Sequence, residues 1–301
     1  KTTIEKAFIG IVLFLLLSGG CMQPSHSTVS LPLSAIQCFR AVEEIRDIAF
    51  ERAHIVWSAT PGGLLKLDCR SGQWTVFTVA SGLPSNNVTA VLYSSSGILW
   101  LGTDRGVCSF IKGAFTASGT EDGLPAAAIT VLAEGIDGTV YAGTERGIAR
   151  CAGGKRWEPV NDAHEFARRR VLDIARDTDG SMWFVKENAL SHYRRDGTWE
   201  IFHKDILLTN AQVGFLSGHL LSIAIDRAGT KWIGTANGLS SYDGRRWRNY
   251  YNRERIAIKS GLKSNWIETV AVGPENTIWV AHSDGGSSNK QLGAGFMSKT
   301  D

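Results

Sequence analysis

Short apolar runs alternate with polar, glycine-containing segments along most of the chain, a pattern typical of strands separated by tight turns. Six of these runs carry an aromatic residue at an equivalent place: Trp57, Trp100, Tyr141, Trp183, Trp232 and Trp279. The six aromatic residues recur every 41 to 49 positions. This periodicity predicts about six copies of one structural repeat.

Glycines mark the same two turns in most copies. One lies three residues before the aromatic residue in the four central copies, and another lies six residues after it in five copies. Because glycine adopts positive φ at little cost, these places predict hairpin turns. A second aromatic residue, 15 to 17 positions after the first, predicts a fourth strand that begins near Trp74, Phe115, Trp157, Trp199, Trp247 and Phe296. Each copy is therefore predicted to be a four-stranded antiparallel sheet.

The connections between copies share one spacing, since Gly82, Gly123, Gly214 and Gly261 each precede their aromatic residue by 18 positions. A small sheet cannot bury both of its faces alone, and radial stacking of such sheets covers them. The predicted fold class is therefore all-β: a β-propeller over residues 39–301 with about six four-stranded blades, or seven. Residues 28–37 are a candidate outer strand that closes the ring.

One segment carries a more specific pattern: Gly82-Leu83-Pro84, then Leu99-Trp100-Leu101-Gly102-Thr103, then Gly106. This string resembles the two-component regulator propeller repeat, and the likeness extends over residues 39 to about 285. The resemblance implies a periplasmic or extracellular propeller, often the sensor half of a hybrid histidine kinase, that binds a ligand or partner. The fourth copy departs from the pattern, with Val185-Lys186 where Gly-Thr is expected.

The first 21 residues differ from the rest of the chain. Lys1 and Lys6 flank an apolar run over residues 7–17, and small residues directly precede Cys21. This is the pattern of a secretory signal, and it resembles a lipobox in which Cys21 is lipidated. We expect a lipoprotein-type signal peptide over 1–21, a tether over 22–38, and a membrane-anchored lipoprotein of the bacterial cell envelope that faces the periplasm or exterior. Plain cleavage, or a retained anchor, is the alternative.

Charge and cysteine usage exclude two further classes. The net charge is +3, and the 32 basic residues are scattered among 29 acidic ones. Without a sustained positive field, nucleic acid is not an expected partner. Beyond Cys21, the cysteines Cys38, Cys69, Cys108 and Cys151 share no repeat position and form no Cys-x-x-Cys pair. They are predicted to be isolated buried thiols, not a disulfide framework.

A candidate ligand-binding face follows from the strand order. Alternate turns of an up-and-down sheet share one end, so the turns between second and third strands should emerge beside the connections between copies. This face would carry Asn86, Asn87, Asp104, Arg105, Glu145, Arg146, Arg168, Arg169, Lys186, Glu187, His219, Asn237, Asn265, Trp266, His282 and Asp284. The expected partner is an unknown small molecule or envelope protein, with a sensor kinase in trans as one candidate. Taken singly, each residue is better explained as a solvated turn residue, and it is the group as a whole that favours a binding face.

No catalytic, metal or cofactor site is expected. Asp177-Thr178-Asp179-Gly180 begins like a calcium loop, but Met182 stands where its glycine and Asn188 where its glutamate should be, so a hairpin turn is predicted. Two alternatives to a binding module remain. The segment 179–184 is similar to the repeat of streptogramin lyases, which would place His219, His282 and Glu187 at a metal. A purely structural scaffold that docks another envelope protein is the other alternative.

Overall fold

The computed structural model describes residues 44–154, 156–160, 168–203, 214–215, 217–251, 262, 264–283 and 293–297. The predicted signal peptide, the tether with its ring-closing strand, Cys21, Cys38 and Asp284 lie outside the described residues. The regular elements of the described part are strands, apart from three short 3-10 helices at Val79–Ser81, Thr120–Asp122 and Pro274–Asn276. Within that part, no helix is long and apolar enough to cross a membrane.

The chain divides into two compact units, and the first ends at Val160. It contains three four-stranded antiparallel sheets whose strands follow chain order. Sheet 1 contains β1 (Asp47–Arg52), β2 (Ile55–Thr60), β3 (Gly63–Asp68) and β4 (Trp74–Phe77). Sheet 2 contains β5 (Val88–Tyr93), β6 (Leu99–Thr103), β7 (Gly106–Ile111) and β8 (Ala114–Ser118). Sheet 3 contains β9 (Ile129–Glu134), β10 (Val140–Thr144), β11 (Gly147–Cys151) and β12 (Trp157–Val160).

The second unit, residues 161–301, contains three further sheets. Sheet 4 contains β13 (Val171–Arg176), β14 (Met182–Lys186), β15 (Ala189–Tyr193) and β16 (Trp199–Phe202). Sheet 5 contains β17 (Leu220–Ile225), β18 (Lys231–Thr235), β19 (Gly238–Tyr242) and β20 (Trp247–Tyr250). Sheet 6 contains β21 (Trp266–Val272), β22 (Ile278–Ser283) and β23 (Gly293–Met297).

The repeat places the six aromatic residues as predicted, each on the second strand of its sheet. The prediction for Phe296 was wrong. Phe296 lies on β23 opposite Trp279, so it belongs to the third strand of sheet 6 and not to a fourth. The reason is that residues 284–292 separate β22 from β23, whereas two residues separate the same strands in sheet 2.

Apolar side chains pack between successive sheets of each unit. Trp57 of sheet 1 shares a core with Leu83, Val88 and Leu99 at sheet 2, and Trp232 of sheet 5 shares one with Ile267 of sheet 6. The second strands approach the next sheet closely: a Cβ on Gly102 would lie 2.6 Å from Ile129 Cγ2. This contact explains the glycine two residues after the aromatic residue in the repeat.

The cysteines follow the prediction in part. Cys108 and Cys151 are buried and carry free thiols, as expected for isolated core residues. The prediction of burial was wrong for Cys69, which is also free but is exposed. Cys69 follows β3 in the turn that leads to β4, where side chains point into solvent. Partial desolvation by neighbouring atoms raises the pKa of the Cys69 thiol, with a smaller contribution from the charge of Asp68.

A half-buried carboxylate links neighbouring sheets in each unit. Asp47 Oδ2 on β1 accepts a hydrogen bond of 2.9 Å from the Val91 N–H on β5. Asp173 occupies the same repeat position and accepts one of 2.8 Å from the Ile223 N–H. Burial raises the pKa of Asp47 from 3.8 to about 6, although hydrogen bonds from the Val91 and Ile48 amides oppose the rise.

The raised pKa predicts a pH dependence of stability. The folded state holds its Asp47 proton more tightly than the unfolded chain, so this stabilisation is present below pH 3.8 and is lost as the pH rises through about 6. Between pH 3.8 and about 6, the wild type should lose about 3 kcal/mol of unfolding free energy relative to Asp47→Asn, which lacks this ionisable group. Free energies of unfolding measured for both proteins at each pH give this difference. Parallel curves would contradict the assignment. Asp104→Asn is the control, since the pKa of Asp104 is lowered and its contribution has the opposite sign.

An acidic side chain six residues before the second-strand tryptophan accepts its indole N–H. Glu51 binds Trp57 Nε1 at 3.0 Å, and Asp177 binds Trp183 Nε1 at 2.9 Å. Asp226 binds Trp232 Nε1 at 3.2 Å. Sheet 2 has Ser94 at this place, and among the described residues the buried Trp100 Nε1 has no hydrogen-bond partner.

Supplying the missing acceptor should stabilise sheet 2. Ser94→Asn should be about 1 kcal/mol more stable than Ser94→Ala, because asparagine supplies an acceptor at the position that Asp177 and Asp226 occupy in other sheets. Both variants lose the Ser94 hydroxyl, which bonds to Ile98, so they are compared with each other. A neutral acceptor is preferred over aspartate, since Glu134 already binds the neighbouring Ser95 N–H and hydroxyl. Chemical denaturation measures the change, and Ser94→Ala is the matched control. Equal stabilities for the two variants would show that no indole hydrogen bond forms.

Candidate binding surface at the connector end

Each sheet has two distinct ends, because successive turns of an antiparallel sheet alternate between them. We call the end with the turns between second and third strands, and with the connections between sheets, the connector end. We call the opposite end, with the first-to-second and third-to-fourth strand turns, the hairpin end. The described members of the predicted ligand-binding set lie at the connector ends.

A buried threonine holds the connector-end turn in four sheets. In sheet 2, Thr103 Oγ1 donates to the Gly106 carbonyl at 2.9 Å and accepts from the Arg105 N–H at 3.0 Å. The same pair of bonds recurs in sheets 1, 3 and 5 at Thr60, Thr144 and Thr235. The four turns therefore share one frame, fixed from beneath by a side chain that solvent does not reach.

The glycine of this turn is required by its surroundings. Gly106 has a φ of 124°, a conformation that other residues rarely adopt. A Cβ at Gly106 would also overlap the carbonyl oxygen of Ser118 at the end of β8. The frame thus depends on both a threonine and a glycine, while the two residues between them are free to differ.

Those two residues form the turn tips, and they differ from sheet to sheet. The tips are Pro61-Gly62, Asp104-Arg105, Glu145-Arg146 and Ala236-Asn237. Both residues of the sheet 2 and sheet 3 tips are exposed, as is Asn237. A constant buried frame with variable exposed tips separates the residues that maintain the fold from those available to a ligand.

A chain of polar side chains crosses the connector end of sheets 1 and 2. Arg46 donates to Asn87 Oδ1 at 2.6 Å, and Asn87 Nδ2 donates to Asp104 Oδ2 at 3.2 Å. A hydrogen bond from the Ser85 side chain, with a smaller one from Asn87, lowers the pKa of Asp104 despite some burial. The carboxylate is therefore ionised, ordered and accessible to solvent.

The connection that carries Asn87 is itself fixed to the sheets. Leu83 and Leu124 are buried at equivalent places in two connections, and Gly82 ends a 3-10 helix with a φ of 100°. Asn86 Oδ1 accepts from the Val79 N–H at 2.8 Å. Asn86 thus shapes the loop through its side chain, whereas Asn87 joins the polar chain.

In the second unit, two of the predicted residues are buried. Lys186 of β14 and His282 of β22 stand three residues after the aromatic residue, where the other four sheets have threonine. The Lys186 ammonium lies 5.5 Å from the centre of the Trp199 ring. Glu187 beside Lys186 is exposed, and its N–H donates to the Arg170 carbonyl. An alignment of the six repeats would have predicted the burial of Lys186 and His282, because both occupy the position of the buried threonine.

The other described residues of the predicted set also lie at the connector ends, but no hydrogen bond among the described residues links them to Asp104. Arg168, His219 and Asn237 are exposed, while Arg169, Asn265 and Trp266 are half-buried. The 15 described members of the predicted set fall in both units, with 6 in the first and 9 in the second. Asn87 and Asp104 are two members of this set that the structure brings into direct contact within one unit.

Among the described residues, one group of His, Cys, Asp and Glu side chains has the spacing of a metal site: Asp177, Asp179 and His192. It lies at the hairpin end of sheet 4. The Lys231 ammonium is 2.6 Å from Asp177 Oδ2, and His192 Nε2 is 2.8 Å from Ser181 Oγ. A bound ammonium supplies the positive charge, so this donor set does not fit a metal ion. Asp177–Gly180 forms the predicted hairpin turn, with a φ of 86° at Gly180.

The residues expected of a lyase-like metal site do not assemble into one. Glu187, His219 and His282 belong to sheets 4, 5 and 6, and their ligand atoms form no group within 4.8 Å in the described part of the chain. Glu187 and His219 are exposed, whereas His282 is buried. These three side chains do not fit a shared metal in this arrangement.

Comparison with known proteins supports the resemblance stated for the repeat. The two component regulator propeller family matches residues 82–105, which contain β5, β6 and the Asp104-Arg105 tip. No curated protein matches the chain.

Several solved structures share the fold. The extracellular domain of a hybrid two component system from B. thetaiotaomicron is 19% identical, with 84% of this chain and 32% of that chain covered and a TM-score of 0.66. PorZ, a surface component of the type-IX secretion system of Porphyromonas gingivalis, is 14% identical, with 79% and 37% covered and a TM-score of 0.60. Virginiamycin B lyase from Staphylococcus aureus is 15% identical, with 83% of each chain covered and a TM-score of 0.59.

These likenesses define the class of protein: the fold is a β-propeller, and the sheets are its blades. At the level of sequence, residues 82–105 in the second blade match the two component regulator propeller repeat. The chain spans about a third of the length of the two-component extracellular domains that it matches, 32% in the first of them.

Proposed function

We propose that this chain is a non-catalytic β-propeller that binds a ligand or a partner protein at the connector end, as a sensory or accessory module of a signalling or assembly system. One observation carries the proposal: four turns share one buried threonine frame while their exposed tips differ. A rigid scaffold that presents variable polar side chains is the usual design of a binding surface.

The polar chain of Arg46, Asn87 and Asp104 supports the same proposal. Hydrogen bonds hold these side chains in place before any ligand arrives, which lowers the entropy that binding must overcome. Asp104 offers an ionised acceptor, and Arg105 beside it offers donors. A ligand with both donor and acceptor groups fits this surface.

The cellular setting is part of the proposal. Matching propellers belong to an extracellular two-component domain and to a bacterial surface component, which supports export of this chain. The pattern before Cys21 supports attachment to a membrane through a lipid on that residue. An envelope protein, including a sensor kinase in trans, or a small molecule is the proposed partner, and nucleic acid is not.

The test is a thermal-shift screen of the full chain against defined sugars, peptides and nucleotides, followed by titration of each compound that raises the unfolding temperature. Asp104→Ala should weaken binding about tenfold or more, because a hydrogen bond to a charged group is lost. Lys112→Ala, at an exposed hairpin end of the same sheet, should leave affinity unchanged. Equal affinities for Asp104→Ala and the wild type would refute the connector-end site.

A lyase activity is the second candidate, favoured by the match to virginiamycin B lyase over 83% of each chain. Incubation with a cyclic depsipeptide lactone and magnesium, followed by mass analysis, tests it. Ring opening that is lost in His219→Ala would establish the activity and overturn the binding proposal. An unchanged lactone leaves binding as the function that the surface supports.

A further inference from the structure

The hairpin end of sheets 4 and 5 carries exposed cations that are all arginine. The third-to-fourth strand turn of sheet 4 contains Arg194 and Arg195, and that of sheet 5 contains Arg245 and Arg246, with Arg248 next on β20. Arginine is weakly hydrated and its planar fork matches phosphate and carboxylate oxygens. The choice of arginine at five exposed positions therefore suits an anionic partner.

Sheets 4 and 5 pack directly against each other next to these two turns. The Tyr242 ring at the start of the sheet 5 turn lies 5.5 Å from Phe202 and 6.3 Å from Trp183, both of sheet 4. Burial raises the pKa of Tyr242, and the charges of Glu200 and Arg194 also act on it. Lys231 of sheet 5 reaches Asp177 of sheet 4 at the same end.

Three acidic side chains, Asp196, Glu200 and Asp243, lie beside the five arginines, so these two turns and their adjoining strand residues keep a net positive charge. Asp196 Oδ1 accepts from the Thr198 N–H and hydroxyl, and Asp243 Oδ1 accepts from the Arg245 and Arg246 N–H groups. Glu200 forms an ion pair with Arg194. In the described part of the chain, no carboxylate forms a salt bridge with the remaining tip arginines, Arg195, Arg245 and Arg246.

Aromatic pairs lie directly beside the arginines. Tyr193 and Trp199 have ring centres 4.6 Å apart in sheet 4, and Tyr242 and Trp247 stack at 4.6 Å in sheet 5. All four rings are half-buried, and tyrosine and tryptophan each combine an apolar ring with a polar group. Tyrosine and tryptophan with these properties are enriched where a protein meets lipid headgroups.

We propose that the hairpin end of sheets 4 and 5 docks on an anionic phospholipid surface through Arg195, Arg245 and Arg246. The arginines stand on projecting turn tips and not in a concave pocket, which suits a broad surface of phosphates better than a compact ligand. Docking at this end leaves the connector end of the same two sheets directed away from the lipid.

The test compares binding of the full chain to vesicles of phosphatidylcholine mixed with phosphatidylglycerol and to vesicles of phosphatidylcholine alone. The apolar run over residues 7–17 acts equally on both, so the measured quantity is the ratio of the two partition coefficients. Each arginine near an anionic surface contributes about fivefold, so Arg195→Gln/Arg245→Gln/Arg246→Gln should lower the ratio about 100-fold. Salt at about 1 M should abolish the preference.

The matched control is Arg105→Gln/Arg146→Gln/Arg168→Gln, which removes three exposed arginines from connector ends and changes the net charge equally. Circular dichroism checks that both variants fold. An equal loss in the control would show that net charge alone attracts the chain and would overturn the proposal. Binding to polyglutamate without a preference for anionic vesicles would also overturn it, in favour of an acidic protein partner.

Discussion

Replacing Lys231 with methionine should lower the free energy of unfolding by about 3 kcal/mol. The Lys231 ammonium lies 2.6 Å from Asp177 Oδ2, donates to the Gly229 carbonyl at 2.8 Å, and sits 5.2 Å from the centre of the Trp183 ring. Both charged side chains are almost fully buried, so removal of Lys231 leaves the Asp177 carboxylate without its opposite charge. Chemical denaturation at neutral pH measures the loss.

Two further variants make this result specific. Lys112→Met removes an exposed lysine and should change stability by less than about 0.5 kcal/mol. Lys231→Met combined with Asp177→Asn should recover part of the loss, since neither member of the pair is then charged. A double variant as unstable as the single one would mean that packing against Trp183, and not charge, is what Lys231 provides.

Replacing Gly106 with alanine should cost about 3 kcal/mol or more, the second large effect. The φ of 124° is unfavourable for alanine, and the new Cβ would overlap the Ser118 carbonyl oxygen. Gly113→Ala is the matched control in the same sheet, because Gly113 also has positive φ but has nothing within 4 Å of its Cβ position. Its cost should be about 1 kcal/mol, the strain alone.

The difference in stability between Gly106→Ala and Gly113→Ala, measured from denaturation midpoints, tests the turn frame. A cost at Gly106 equal to that at Gly113 would show that the close approach to β8 is not tight in solution. Gly63 makes the same approach to the Phe77 carbonyl in sheet 1, so Gly63→Ala should behave like Gly106→Ala.

The sequence predicted the sheets because their signals are local. An aromatic residue between two glycine turns needs no distant partner to be recognised, and Trp57 to Trp279 all lie where the repeat places them. The prediction for Phe296 failed because its register depends on the number of residues between β22 and β23, which departs from the repeat in sheet 6.

The contacts between sheets could not be predicted from the sequence. The Asp177–Lys231 pair joins two turns whose residues look like ordinary solvated charges until the sheets are stacked. The burial of Lys186 and His282 follows from the threonine position in the repeat, a comparison that the candidate list did not make. Side-chain order, such as the link from Arg46 through Asn87 to Asp104, depends on rotamers and needs a structure.

The central claim is that the connector-end tips serve binding and the frames beneath them serve the fold. Exchanging the sheet 2 tip for that of sheet 5, as Asp104→Ala/Arg105→Asn, tests it most directly. The account predicts a stability within about 1 kcal/mol of wild type, together with an affinity for the screened ligand that falls about tenfold or more. A tip exchange that leaves affinity unchanged would contradict the account.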